Sequence, residues 1–95
     1  MLSVIPTTTA NGSSARQIVL NLNVSSVVYT VPVGKIFTGV MTGYSTSAGA
    51  NINGVAVYAT SGTGGFAAGV VPLTLLGGTV VTGLSQNAAI VGVEQ

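Results

Sequence analysis

The stretch "QIVLNLNV" (residues 17–24) puts Ile18, Leu20, Leu22 and Val24 at alternate positions, with Gln17, Asn21 and Asn23 between them. A period of two sends one set toward a core and the other toward water, so the stretch predicts a half-buried β-strand. The remaining segments are read from their β-branched and apolar composition and from the turn residues between them. "VVYTV" (27–31) is β-branched and aromatic, the make-up that fits a pleated surface. "KIFTGVMTGY" (35–44) predicts a long strand with Gly39 as a bulge, and "NINGVAVYAT" (51–60) predicts a single strand. "FAAGVVPLTLL" (66–76) reads as one or two short strands around Pro72, followed by "TVVTGL" (79–84) and "AAIVGVE" (88–94). No stretch carries a helical period, and 14 glycines punctuate the chain. The fold class expected is all-β: a small antiparallel β-sandwich or jelly roll of seven to eight short strands.

Residues 17–95 form the expected sandwich domain. Residues 1–16, "MLSVIPTTTANGSSAR", form an N-terminal arm or edge strand plus a flexible loop. Their apolar tip, Leu2, Val4 and Ile5, either adds a strand to an adjacent subunit or pairs within its own domain. The segment has neither a basic start nor a sustained apolar run, so synthesis in the cytoplasm without an export signal is expected. The longest apolar run, 66–81, falls short of the roughly 20 residues a membrane helix needs and is broken by Pro72, Gly77 and Gly78. No membrane partner is expected.

Charge narrows the functional classes. Lys and Arg total two, Asp and Glu one, and histidine and cysteine are absent. Ordinary domains carry about 25% charged residues; this one carries 3% beside 47% hydrophobic residues. Charged, mixed surfaces keep free proteins apart, so a chain with this surface is expected to live largely covered by other subunits. A chain of this length buries only a little over about 60% of its unfolded surface. Without disulfides or thiolate metal sites, partner chains are left to supply stability.

Catalysis lacks its residue types. General acid–base chemistry favours histidine or tuned carboxylates, and the chain offers Glu94 alone, read as a solvated strand end. No histidine exists to activate a serine, and no ligand set for zinc or calcium is present. The expectation is no enzyme, no cofactor and no metal. Gly34-Lys35 lacks the upstream glycine and the following Ser or Thr of a phosphate loop, and "SGTGGFAAG" has Ala67 where a dinucleotide motif needs glycine. Two cations make no nucleic-acid patch. Val31-Pro32-Val33-Gly34 reads instead as a type I turn joining two strands of a hairpin, with Lys35 on its flank.

That turn also carries a resemblance. "YTVPVGKIFTGV" (29–40), a Val-Pro-x-Gly-Lys corner leading into an apolar strand, resembles the start of small β-sandwich proteins carried by tailed-bacteriophage virions. The ending "IVGVEQ" (90–95) resembles their last strand, which closes as apolar-x-Gly-x-Glu. The similarity spans residues 27–95, and this chain is poorer in charge than many such proteins. The resemblance implies a jelly-roll homotrimer on the outer surface of the virion, decorating or cementing the head by bridging copies of the major capsid protein. Candidate interface residues are Leu2, Val4, Ile5, Arg16, Lys35, Tyr44, Tyr58 and Phe66. The alternative is a tail-associated or surface glycan-binding module, with Tyr44, Tyr58 or Phe66 as stacking faces beside asparagine side chains.

Overall fold

Among the described residues the chain forms nine strands: β1 (Leu2–Thr8), β2 (Ser14–Asn21), β3 (Val27–Thr30), β4 (Ile36–Gly43), β5 (Gly49–Ile52), β6 (Val55–Tyr58), β7 (Gly69–Leu76), β8 (Val80–Gly83) and β9 (Ala88–Glu94). The structure is a computed structural model describing residues 2–8, 14–44, 47–59 and 69–95, with 2–8 and 14 as backbone. All pairing is antiparallel. One sheet has five strands in the order β1-β2-β9-β4-β7, and the other has four in the order β3-β8-β5-β6. No helix occurs among the described residues. The all-β class is as expected from the β-rich segments and the turn residues between them.

β2–β9 supply the expected seven to eight strands, with residues 51–60 forming two of them rather than one. Asn53 and Gly54 both take positive φ, 51° and 86°, and turn the chain into the β5–β6 hairpin. Two consecutive left-handed residues match the right-handed twist of the flanking strands, which is why Asn-Gly favours this turn. Asn53 also ties the hairpin to β8: its Oδ1 accepts the Val80 N–H at 2.8 Å, and its own N–H donates to the Val80 carbonyl at 2.9 Å.

The two sheets share one core. Ile18 and Leu20 of β2, Phe37 and Met41 of β4 and Ile90 of β9 meet Tyr29 of β3, Ala50 of β5 and Val81 of β8. Each large aliphatic side chain so buried contributes roughly 1.5–3 kcal/mol. The core is shaped around the Phe37 ring. Gly39 and Gly92 face each other across β4 and β9. A Cβ on Gly39 would lie 2.7 Å from Phe37 Cζ, and one on Gly92 would lie 2.5 Å from the same atom. The glycine pair is therefore the floor of a slot that the ring fills. Gly39 is not a bulge, since β4 keeps its register on both sides. The irregularity falls in β3, between Val27 and Tyr29.

The Pro32 corner also differs from its expected form. The Lys35 N–H donates to the Pro32 carbonyl at 3.1 Å, and Gly34 has φ 84°. The turn thus spans Pro32 to Lys35, with glycine at the position that needs positive φ in a type II turn. It is not a hairpin: β3 belongs to the four-stranded sheet and β4 to the five-stranded one. A second corner, Leu76 to Thr79, makes the same crossing between β7 and β8 and is closed by Thr79 N–H on the Leu76 carbonyl at 3.1 Å. The corners bond to each other, Gly78 N–H to the Val31 carbonyl at 2.8 Å and Val31 N–H to the Thr79 carbonyl at 2.9 Å. Because β3 pairs β8 and β4 pairs β7, the two segments run as one antiparallel ribbon folded over both sheets.

Proline placement protects the sheet edges. Pro6 lies in β1 and Pro72 in β7, the two edge strands of the five-stranded sheet. A proline cannot donate to a further strand, so both edges are poor templates for pairing. Pro72 interrupts nothing, and residues 69–76 are one strand.

Candidate functional site

The outward face of the five-stranded sheet is the most unusual surface of the molecule. Strand registers align Val19, Val91, Val40 and Pro72 in one row across β2, β9, β4 and β7. Val93 lies in the next row toward the β9 end, and Ile36 opposes Leu76 beyond it. All of these side chains are exposed, Val91 and Val93 by 40% each. Polar positions on this face are uncharged: Gln17, Asn21, Thr38, Thr42 and Thr74. Not one of the three charged side chains lies on it. A flat apolar face without charge lacks the features that keep monomers apart.

The charged groups gather at one end of the same sheet. Glu94 is 4% exposed, which overturns its reading as a solvated strand end. Its Oε1 accepts the Tyr29 hydroxyl at 2.7 Å, and its Oε2 lies 4.0 Å from Arg16 Nε. The Arg16 side chain is itself 56% exposed. Burial pushes the Tyr29 phenol well above its ordinary range, the Glu94 hydrogen bond and charge add to that, and Arg16 opposes it. A buried carboxylate is tolerable only with such partners. The structure gives Glu94 the inward parity of β9, with Ile90 and Gly92, whereas alternation alone predicts Val91 and Val93 beside it inside.

The expected interface residues do not form one patch. Leu2, Val4 and Ile5 stand on β1 at positions opposite Leu20, Ile18 and Gln17 of the same chain. Arg16 lies opposite Glu94, and Lys35 closes the nearby Pro32 turn, exposed and without an ion-pair partner among the described residues. Tyr44 lies at the opposite end, just beyond β4, and Tyr58 ends β6. Both tyrosines are exposed. Phe66 and the "SGTGGFA" stretch lie outside the described residues. What residue-by-residue reading missed is the valine row, because its members belong to three different strands.

The landmarks "YTVPVGKIF" and "IVGVEQ" are halves of one packing unit. Tyr29 reaches Glu94, the Phe37 ring covers Gly92, and the two aromatic rings meet edge-on with centroids 5.7 Å apart. No group of three or more potential metal-ligating His, Cys, Asp or Glu side chains occurs among the described residues. No family model, curated protein or solved structure matches the chain.

Proposed function

We propose that this chain is a structural virion protein: a jelly-roll subunit that associates as a homotrimer and decorates or cements a tailed-phage capsid from outside, bridging copies of the major capsid protein. The observation that carries the reading is the uncharged valine face of the five-stranded sheet. Leaving out its end at the Asn21, Ala89, Thr42 and Val70 row, five strands about 4.8 Å apart and about six residues long at about 3.3 Å each make a face of roughly 500 Å². A stable interface needs about 800 Å² from each partner, so this face supplies most of one partner's share. Strand order adds support. Setting β1 aside, the sheets read β2-β9-β4-β7 and β3-β8-β5-β6. That order arises when one long antiparallel ribbon is rolled into two packed four-stranded sheets, the double Greek key of a jelly roll. The proline-marked edges favour association through the face over strand addition.

The mechanism is mechanical. Each trimer covers its apolar faces, straddles neighbouring capsid subunits and adds contact that must break before the shell opens. Repetition over the lattice multiplies weak contacts through avidity. Gel quantification of purified virions tests the reading. A copy number near that of the major capsid protein supports it, and a few copies per particle rejects it.

A further inference from the structure

The end of the sandwich away from Glu94 holds a hollow of about 660 Å³. Its floor is one transverse row of the five-stranded sheet, Asn21, Ala89, Thr42 and Val70, contributed by β2, β9, β4 and β7 in order. Its walls are Asn23, Tyr44 and Asn87 from the segments where those strands end or begin. The volume falls in the range of small-ligand sites, roughly 300–1,000 Å³.

The walls are braced from within the chain. The Asn23 N–H donates to Asn21 Oδ1 at 2.9 Å, which bends the chain as β2 ends. The Tyr44 N–H donates to the Asn87 carbonyl at 3.3 Å, and Leu22 N–H to the Ala88 carbonyl at 3.0 Å. Tyr44 and Asn87 are thus tied by a backbone bond between adjacent strand ends, and Asn23 is held by the Asn21 side chain. Side by side on one wall, Asn23 Nδ2 donates to Asn87 Oδ1 at 3.4 Å. That leaves Asn23 Oδ1 as an acceptor and Asn87 Nδ2 as a donor, with no other partner among the described residues.

The chemistry of the lining defines the ligand class. Every polar side chain here, three amides, a hydroxyl and a phenol, both donates and accepts, and none is charged. An ionic ligand would lose its hydration without a counter-charge. A hydroxyl-rich neutral ligand suits the lining, because each hydroxyl also donates and accepts. The side-by-side acceptor of Asn23 and donor of Asn87 fit two adjacent hydroxyls. Tyr44, 57% exposed, offers a flat ring for the C–H face of a sugar, with Val70 and Ala89 as further apolar contacts. We propose that this hollow is a binding site for a neutral saccharide. The floor row lies on the same outward face as the valine row, at its Asn21 end, so the proposal requires any subunit contact to stop short of that row. It does not depend on a virion location.

The test is an NMR titration of the isotopically labelled full chain with glucose, galactose, mannose and N-acetylglucosamine and their disaccharides. The expected result is saturable shifts at Asn21, Asn23, Tyr44 and Asn87 for at least one sugar. Tyr44→Ala and Asn87→Ala are expected to weaken that binding about tenfold or more each, while Tyr44→Phe keeps most of it through the ring. A thermal melt shows whether each variant stays folded, and the exposed Tyr44 side chain makes Tyr44→Phe the safe comparison. The proposal is overturned by no shifts at the solubility limit of every sugar. Shifts that Tyr44→Ala and Asn87→Ala leave unchanged overturn it too. Binding of neutral Ser/Thr/Gly peptides without any sugar binding would assign the hollow to another ligand class and also overturn it.

Discussion

The Tyr29 hydroxyl of β3 donates to Glu94 Oε1 of β9 at 2.7 Å, joining the two sheets through the only carboxylate side chain in the protein. Hydrogen bonds to a buried charged group are worth about 1.5–3 kcal/mol. Tyr29→Phe is therefore expected to lower unfolding stability by about that amount in a denaturant melt. Arg16→Ala removes a longer contact from an exposed side chain and is expected to cost about 1 kcal/mol or less. A Tyr29→Phe protein as stable as the wild type would show that the carboxylate is satisfied without the phenol.

The same contact predicts a loss of stability in alkali. Burial raises the Tyr29 phenol above its ordinary 10.0, so the folded protein holds that proton more tightly than the unfolded chain does. The stabilisation is whole below pH about 10, where both states keep the proton, and is lost as the pH rises from there through the folded-state value. Unfolding free energy is expected to fall more steeply above pH 10 in the wild type than in Tyr29→Phe. Parallel pH profiles for the two proteins would contradict the linkage.

The glycine slot makes a packing prediction. Gly39→Ala puts a methyl 2.7 Å from both Phe37 Cζ and the Gly92 Cα, one of which is backbone and cannot step aside. Overpacking costs about 1–3 kcal/mol where neighbours can shift. This site is expected at or beyond the upper end, with Gly92→Ala similar. Combining Gly39→Ala with Phe37→Leu is expected to recover part of the loss, read as non-additivity in a melt.

Gly34 and Lys35 separate turn geometry from charge. A Cβ on Gly34 meets nothing within 4 Å, so Gly34→Ala carries only the strain of φ 84°. That strain is worth about 1–2 kcal/mol. Lys35→Ala is expected to change stability by no more than about 0.5 kcal/mol, yet to weaken particle binding in a salt-sensitive way. Unchanged occupancy of Lys35→Ala on particles would remove Lys35 from the proposed contact.

The valine row predicts the oligomeric state. Val91 sits at the centre of the outer face, between Val19 and Val40, with 40% of its surface open. Val91→Lys is expected to fold and to shift the mass found by sedimentation from oligomer toward monomer. An unchanged oligomer would place the interface elsewhere.

Alternation makes β2 legible in the sequence, because one face lies in the core and a period of two encodes that directly. Strands β4, β8 and β9 are legible as strands from their β-branched and apolar composition, but not as to which face turns inward. Asn53-Gly54 is a local turn signal that a reading of 51–60 as one strand passes over. The inward turn of Glu94 is not legible, because Val91 and Val93 compete with Gly92 and Glu94 for the core face of β9. Local turn chemistry at Pro32 predicts a bend correctly and a hairpin wrongly. The geometry of a turn says that the chain changes direction, while pairing depends on which strands bring their polar backbone edges together.

By itself the sequence determined the all-β class, the near absence of charge and the absence of histidine and cysteine beside a single carboxylate side chain, since composition and residue type are local properties. Only the tertiary structure decided which strands are neighbours. That choice set Tyr29 against Glu94 across 65 positions, laid Phe37 over the Gly39–Gly92 pair and lined up valines of separate strands. It also brought Asn21, Tyr44 and Asn87 to one hollow. Such juxtapositions follow from sheet order and register, which are settled by how the whole core packs and not by any single stretch of chain.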